Sequence, residues 1–111
     1  MNILQINSSV RGTASASSRL ATRIVARLQQ LESGSVLRIR EATQQPILDE
    51  AALGALFSPV EARSPAQAAR VAVDDATIAE VQAADVVVIG VPMYNFGVPV
   101  QLKAWIDRIA R

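Results

Sequence analysis

Two stretches of the chain carry residues suited to binding an anion and a flat ring. Residues 7–18 read Asn-Ser-Ser-Val-Arg-Gly-Thr-Ala-Ser-Ala-Ser-Ser, and residues 92–96 read Pro-Met-Tyr-Asn-Phe. The first stretch offers hydroxyls and free backbone N–H groups ahead of a helix, where the positive end of the helix dipole favours a phosphate. The second offers a thioether, aromatic rings and an amide, which can contact a flat ring. Each stretch alone also fits a structural role, since serines start helices and apolar side chains seal sheet ends.

A buried strand and a helix position the second stretch. Residues 85–91 read Asp-Val-Val-Val-Ile-Gly-Val, a nearly unbroken apolar run that is typical of a parallel strand covered on both faces. The spacing i, i+3, i+4 and i+7 then predicts a helix with the apolar residues Leu102, Trp105, Ile106 and Ile109 on one face. Residues 92–96 therefore lie at the carboxyl end of a strand, where open α/β sheets bind their ligands.

The hydroxyl-rich stretch follows a short strand at residues 2–6 and leads into a helix. Ser15 or Ser17 is a suitable N-cap, and Arg11 and Arg19 add positive charge nearby. The apolar stripe of this helix is Leu20, Ile24, Leu28 and Leu31. The loop matches neither the GxGxxG dinucleotide fingerprint nor the GxxxxGK[ST] P-loop, so a Rossmann NAD site and a nucleoside triphosphate site both lose support.

The remaining elements complete an alternation of strands and helices. The sequence predicts an edge strand at residues 36–39 and a long helix at residues 65–84. Between them it predicts a surface excursion at residues 40–65 with a short helix at 49–57. This alternation predicts an α/β domain with a parallel sheet and right-handed crossovers. Five carboxylates are expected to be solvated surface charges: Asp49, Glu50, Glu61, Asp74 and Asp75.

Composition excludes several classes of function. The 111 residues contain no cysteine and no histidine, so thiolate zinc sites, disulfides and a Ser-His-Asp triad are excluded. The net charge of +1 with scattered basic residues gives no footprint for nucleic acid or for an anionic membrane. A signal peptide and a run of eighteen apolar residues are also lacking, which predicts one soluble, cytoplasmic domain.

The two stretches converge in one particular topology. In a flavodoxin-like doubly wound sheet with strand order 2-1-3, the loops after the first and third strands are neighbours at the switch point where flavin mononucleotide (FMN) binds. One loop would then form a phosphate cradle and the other a contact for the flavin ring. Their convergence favours a flavin site over two independent packing roles.

The chain also resembles a known family over its whole length. Four loop serines (Ser8, Ser9, Ser15 and Ser17), residues 92–96 and residues 101–107 (Gln-Leu-Lys-Ala-Trp-Ile-Asp) are similar to the FMN-dependent NADH-azoreductases, a branch of the flavodoxin-like quinone reductases. The resemblance implies that the FMN phosphate is held by Ser9, Ser15 and Ser17. It also implies that the isoalloxazine ring is contacted by Met93, Tyr94, Asn95 and Phe96, with Phe96 contacting the substrate as well. Pro92 is a further residue of the implied cofactor site.

The resemblance further implies an activity. Such enzymes are usually homodimers that pass a hydride from NAD(P)H to flavin N5 and then to a quinone or azo compound by a ping-pong route. The flavin carries the chemistry, so no catalytic side chain and no metal is expected. Two other interpretations stay open, a non-enzymatic FMN-binding electron carrier and an inactive fragment. Flavodoxin carriers are typically acidic, whereas this chain is near neutral, which favours the enzyme.

The chain departs from the family pattern in two respects. Ala16 stands where a polar side chain commonly lies near the phosphate, so the neighbouring backbone N–H groups must suffice. Family members are close to twice as long and continue with two further strands. We therefore expect residues 1–111 to be a flavodoxin-like FMN-binding domain that is incomplete at its C-terminus, with the third strand exposed as an edge.

Overall fold

A computed structural model describes residues 1–110 as three strands and four helices, joined by loops and short 3-10 turns. The strands are β1 (Asn2–Asn7), β2 (Val36–Glu41) and β3 (Val86–Gly90). The helices are α1 (Ala16–Leu31), α2 (Glu50–Phe57), α3 (Pro65–Ala83) and α4 (Val100–Ile109). The 3-10 turns are Gly12–Ala14, Ala42–Gln44 and Val60–Ala62. The predicted alternation is confirmed.

The sheet is parallel and has the order β2-β1-β3, which confirms the predicted 2-1-3 topology. Asn7, the last residue of β1, is paired with Gly90, the last residue of β3, so the two strands end side by side. In residues 1–110 the third strand is an edge of the sheet, as predicted. Its side chains Val87 and Ile89 are 37% and 41% exposed.

Successive side chains of β1 point to opposite faces of the sheet, and each face is covered by a helix. Leu4 and Ile6 pack in the main hydrophobic cluster with Leu102 and Trp105 of α4. Between them Gln5 points to the other face, where its Nε2 donates to Thr22 Oγ1 of α1 at 3.2 Å. Helix α1 therefore lies on the face opposite the one that carries α4.

The apolar stripe of α1 differs from the surface that the helix buries. Leu20, Ile24 and Leu31 are 57%, 46% and 62% exposed, whereas the buried residues of α1 are Ser18, Ala21 and Val25. The physical reason is close approach, because small side chains allow the N-terminal part of the helix to reach β3. The periodicity located the helix correctly but did not indicate which face meets the sheet.

One carboxylate that was predicted to be a surface charge is buried. Asp74 is 5% exposed, and its Oδ1 accepts from Arg108 Nε at 2.9 Å. Its Oδ2 lies 3.5 Å from Arg70 Nε. Arg108 is 1% exposed and also donates to Thr77 Oγ1 at 2.8 Å and to Gln45 Oε1 at 3.2 Å. The prediction for Asp74 was wrong because its partner on α4 lies far away in sequence. This network ties α4 to α3.

The helices begin at the polar residues that cap them. Asp49 Oδ1 accepts from Ala52 N–H at the start of α2, and Ser64 forms a reciprocal capping box with Gln67 ahead of Pro65 in α3. Each cap satisfies backbone donors that a helix start leaves without partners. None of the helices in residues 1–110 combines the length and the apolar character that crossing a membrane requires.

Candidate functional site

The loops that follow β1 and β3 are held in contact by Ser8 and Gly90. Ser8 is fully buried, and its hydroxyl donates to the carbonyl oxygen of Gly90 at 2.6 Å. A Cβ at position 90 would lie 2.9 Å from the carbonyl oxygen of Ser17, a distance that real Cβ atoms essentially never show. Glycine is therefore required for the N-terminus of α1 to approach the end of β3.

Residues 8–18, here called the serine loop, are shaped by their own hydroxyls. Ser15 is the N-cap of α1, and its Oγ accepts from Ser18 N–H at 3.2 Å. Ser18 Oγ donates to the carbonyl oxygen of Gly12 at 2.9 Å, and Gly12 adopts a left-handed conformation with φ 63°. Ser17 Oγ lies 3.2 Å from Ser15 Oγ. These hydrogen bonds within the loop define its shape.

The N-terminus of α1 presents backbone donors at the same place. The first intrahelical bond runs from Arg19 N–H to Ser15 O at 3.1 Å, so the amides of Ala16 and Ser17 precede the hydrogen-bonded part of the helix. Ala16 brings no polar side chain, yet its amide belongs to this positive end of the helix dipole. The donors and the positively charged Arg11 of the same loop match the chemistry of a phosphate.

Residues 92–97, here called the aromatic turn, have a different character. The backbones of Tyr94 and Gly97 exchange two hydrogen bonds of 3.0 Å, and Asn95 and Phe96 between them have φ values of 49° and 62°. Positive φ at both central residues is the geometry of a type I′ turn, which glycine usually occupies at the second position. Phe96 is 97% exposed and Met93 is 71% exposed. A strained, exposed aromatic of this kind is typical of a functional position.

Tyr94 connects the aromatic turn to the serine loop. Its hydroxyl lies 3.1 Å from Ser9 Oγ and accepts from Val10 N–H at 3.2 Å. Ser9 is 1% exposed, and its Oγ also accepts from Arg11 N–H at 3.1 Å. The polar end of Tyr94 therefore contacts the serine loop, although the family resemblance implied a ring contact for this residue.

A cavity of about 430 Å³ lies between the two loops. It is lined by Ser9, Arg11, Ser15, Ala16, Ser17, Leu20, Val91, Pro92 and Tyr94. Five of the predicted site residues are therefore brought together: Ser9, Ser15, Ser17, Pro92 and Tyr94. The other three lie outside this lining: Met93, Asn95 and Phe96.

A larger cavity of about 470 Å³ lies elsewhere, against the amino-terminal half of β1, along β2 and against α3. Its charged lining includes Arg40 and Glu80, which already pair with each other through two hydrogen bonds of 2.6 and 3.0 Å. The smaller cavity is the better candidate because hydroxyls, helix amides and an aromatic residue converge on it at the carboxyl ends of the strands.

Sequence reasoning missed four residues that build this site: Ser8, Gly12, Ser18 and Gly90. A glycine that interrupts a valine-rich strand is a recognised signal for close backbone approach, and it was present at position 90. A glycine inside a hydroxyl-rich loop likewise indicates a turn at position 12. The roles of Ser8 and Ser18 depend on carbonyl partners that the sequence does not reveal.

Comparison with known proteins gives a consistent result. The model of a family described as having a flavodoxin-like fold matches residues 1–111. An FMN-dependent NADH:quinone oxidoreductase of Aromatoleum aromaticum is 64% identical over 100% of this chain and 57% of its own length. The protein of the same name from Dechloromonas aromatica is 56% identical over the same shares. The chain thus spans little more than half the length of these relatives.

Solved structures share the same fold. An azoreductase from Bacillus anthracis superposes with a TM-score of 0.82 at 21% identity, covering 100% of this chain and 56% of its own. An FMN-dependent NADH-azoreductase from the same species, solved in complex with FMN, gives a TM-score of 0.82 at 19% identity over the same shares. At such identities the likeness establishes the flavodoxin-like fold.

Proposed function

This chain belongs to the flavodoxin-like fold family, and from that premise we propose that it is the FMN-binding portion of an NADH:quinone oxidoreductase. The observation that carries the proposal is the contact between Ser8 and Gly90, which joins an anion-binding loop to an exposed aromatic turn at one end of the sheet. A flavin nucleotide has both matching parts, a phosphate and a flat ring. The names of the two relatives support the same cofactor.

The donors of the serine loop fit the phosphate end of FMN. The amides of Ala16 and Ser17 lie at the helix start, Ser17 Oγ is close to them, and Arg11 lines the cavity. Ser9 and Ser15 are more buried than Ser17 and hold the shape of the loop. Because hydrogen bonds within the loop hold its shape, binding of an anion would cost little conformational entropy.

The aromatic turn fits the ring end. Pro92 and Tyr94 line the cavity beside the serine loop, and Met93, Asn95 and Phe96 continue from there onto the exposed turn. Bound flavin supplies hydride transfer from NAD(P)H to a quinone or azo acceptor, in ping-pong order. Met93 would contact the flavin ring, Phe96 would stack against an aromatic acceptor, and the Asn95 amide would hydrogen-bond polar atoms of the ring.

The whole protein's organisation is proposed from the resemblance and the relatives. We take residues 1–111 as the amino-terminal portion of a flavin-binding domain, in keeping with the 57% coverage of the Aromatoleum protein. A homodimer and a cytoplasmic location stay predictions.

Steady-state oxidation of NADH by the purified protein tests the proposal. With FMN present, addition of menadione or of an azo dye should start acceptor-dependent NADH oxidation, and removal of the flavin should abolish it. Bound FMN without acceptor-dependent oxidation would indicate an electron carrier instead. A protein that shows no flavin absorbance after incubation with FMN and gel filtration would contradict the proposal altogether.

A further inference from the structure

The cavity of about 470 Å³ against β1, β2 and α3 has the size of a ligand site. Its share of β1 is residues 2–4, whereas the serine loop begins after the carboxyl end of that strand. Among the described residues, this cavity and the one between the two loops have no lining residue in common. Sites for small molecules usually measure about 300–1,000 Å³, so the cavity can hold a ligand of its own.

The α3 side of this cavity is apolar and has short side chains. Ala76, Ala79 and Ala83 line it, and their spacing of i, i+3 and i+7 places them on one face of the helix. All three are exposed, so this face of the helix stays accessible. Val36 of β2 lines the cavity as well and is 53% exposed. Side chains that end at Cβ leave room beside the helix for a flat apolar group.

Two of the charged residues in the lining neutralise each other. Arg40 Nε donates to Glu80 Oε1 at 3.0 Å, and Arg40 Nη2 donates to Glu80 Oε2 at 2.6 Å. The remaining nitrogen, Nη1, donates to the carbonyl oxygen of Ile39 at 3.1 Å. Both carboxylate oxygens and all three guanidinium nitrogens are therefore engaged within the protein. This pair offers no unbalanced charge to a ligand.

Arg38 is the other charged residue of the lining, and its guanidinium is unpaired. It lies two positions before Arg40 on β2, so both side chains extend from the same face of the strand. Within residues 1–110, the Arg38 side chain takes part in no hydrogen bond and no ion pair. A guanidinium stays charged and binds a carboxylate through two parallel N–H donors. The cavity thus combines one free positive charge with an apolar surface.

The dipole of α3 limits the charge that a ligand can carry here. Residues 76–83 belong to the C-terminal half of this helix, whose end has a partial negative charge. That end repels a dianion such as phosphate more strongly than a singly charged carboxylate. An apolar group is not repelled, and it gains free energy by leaving water. A ligand with both groups would therefore place its carboxylate on the β2 side and its apolar part against the helix.

We propose that this cavity binds a small aromatic monocarboxylate, with the carboxylate on Arg38 and the ring against the alanine face of α3. A ring fits because it is flat, and because a rigid group loses little conformational freedom when it binds. The proposal goes beyond the flavin-dependent function and does not depend on it. None of the residues that it uses belongs to the serine loop or to the aromatic turn.

Titration calorimetry with naphthoate, an aromatic monocarboxylate, tests the proposal. The purified protein, with and without added FMN, is titrated with naphthoate and with naphthamide, which has the same ring but no charge. Naphthoate should bind about tenfold or more tightly than naphthamide, because a hydrogen bond to a charged group is gained. Equal affinities, or no binding of naphthoate at millimolar concentration, would overturn the proposal.

Two matched substitutions locate the charge. Arg38→Gln should weaken the binding of naphthoate about tenfold and leave that of naphthamide unchanged, which would also show that the cavity is intact. Arg23→Gln removes the same charge from an exposed position of α1, on the other face of the sheet, and should leave both affinities unchanged. Equal weakening of naphthoate binding by the two substitutions would reveal a general effect of net charge and would contradict the role of Arg38.

A third substitution locates the ring. Ala79→Leu keeps a good helix former at an exposed position but fills the cavity, so it should weaken both ligands without lowering the melting temperature. Unchanged affinities in this variant would overturn the proposal. Displacement of naphthoate by FMN would place it in the flavin site, and displacement by inorganic phosphate would indicate a simple anion site; either result would also overturn it. A protein that binds naphthoate as expected but retains no FMN would contradict the proposed function alone.

Discussion

The serine loop and the aromatic turn meet at one end of the sheet but are built in opposite ways. The serine loop is stabilised by its own hydroxyls, and its shaping residues Ser9, Ser15 and Ser18 are buried. The aromatic turn exposes Phe96 almost completely and holds it at a φ of 62°. A rigid loop is suited to binding a fixed anion tightly, whereas an exposed turn can contact acceptors of varied shape. We infer that the serine loop mainly determines the affinity for the cofactor, whereas the aromatic turn mainly affects the turnover rate.

Separating the two loops should have the largest effect. Gly90→Ala places a Cβ 2.9 Å from the Ser17 carbonyl oxygen, so backbone must move. We expect a loss of about 1–3 kcal/mol in the free energy of unfolding, measured by urea denaturation, together with loss of FMN binding. Gly54→Ala in α2 is the control, since a Cβ there meets nothing within 4 Å, and it should keep or slightly raise stability. Equal behaviour of the two variants would contradict the close approach.

Substitutions of Ser15 and Ser17 should distinguish a serine that shapes the serine loop from one that contacts the ligand. Ser15→Ala removes the N-cap of α1 and should cost about 1 kcal/mol of stability, with a loss of FMN affinity as well. Ser17→Ala should leave stability nearly unchanged and still weaken FMN binding, because Ser17 is only half-buried. Together the two substitutions should weaken FMN binding by about 1.5–3 kcal/mol for each lost bond. Thermal melts and FMN titration measure both quantities, and unchanged FMN affinity in the double variant would exclude this loop as the phosphate site.

Truncating the exposed aromatic should have a smaller effect, confined to turnover. Phe96→Ala should lower the rate with quinone and azo acceptors by an amount equivalent to about 0.5–1.5 kcal/mol, while FMN stays bound. The melting temperature should hardly change, since Phe96 is 97% exposed. Full turnover accompanied by a melting temperature many degrees lower would instead make Phe96 a packing residue.

The strain in the aromatic turn predicts the smallest effect. Phe96→Gly and Phe96→Ala remove the same ring, but glycine adopts a positive φ without the Cβ penalty. The glycine variant should therefore be more stable than the alanine variant by about 1 kcal/mol, as measured by urea denaturation. A glycine variant that is no more stable than the alanine variant would argue against a left-handed turn.

Local periodicity was enough to predict most of the fold. The valine-rich run at 86–90, the short strand at residue 2 and the helical spacing after residue 100 depend only on neighbours in the chain, and all three elements were predicted. The alternation of elements then predicted a parallel sheet, and the 2-1-3 order came from the flavodoxin-like topology in which the two loops converge. The serine loop and the aromatic turn were found because their residue types are unusual for the ends of strands.

The rest depended on contacts between distant residues. The burial of Asp74 requires Arg108, and the exposed stripe of α1 follows from the close approach at Gly90. The hydroxyl of Tyr94 is hydrogen-bonded to the hydroxyl of Ser9, which lies 85 positions away in sequence. A single sequence records the identity of each such residue but not its partner, so each was assigned to the environment that its type usually occupies.

The affinity of the purified wild-type protein for FMN relative to riboflavin tests the central claim most directly. Equilibrium titration with each flavin, followed by fluorescence, gives the two dissociation constants. If the serine loop binds the phosphate through its helix amides and hydroxyls, FMN should bind about 100-fold or more tightly than riboflavin, because at least two charge-assisted hydrogen bonds are gained. Equal affinity for the two flavins would show that this loop does not hold a phosphate and would contradict the account.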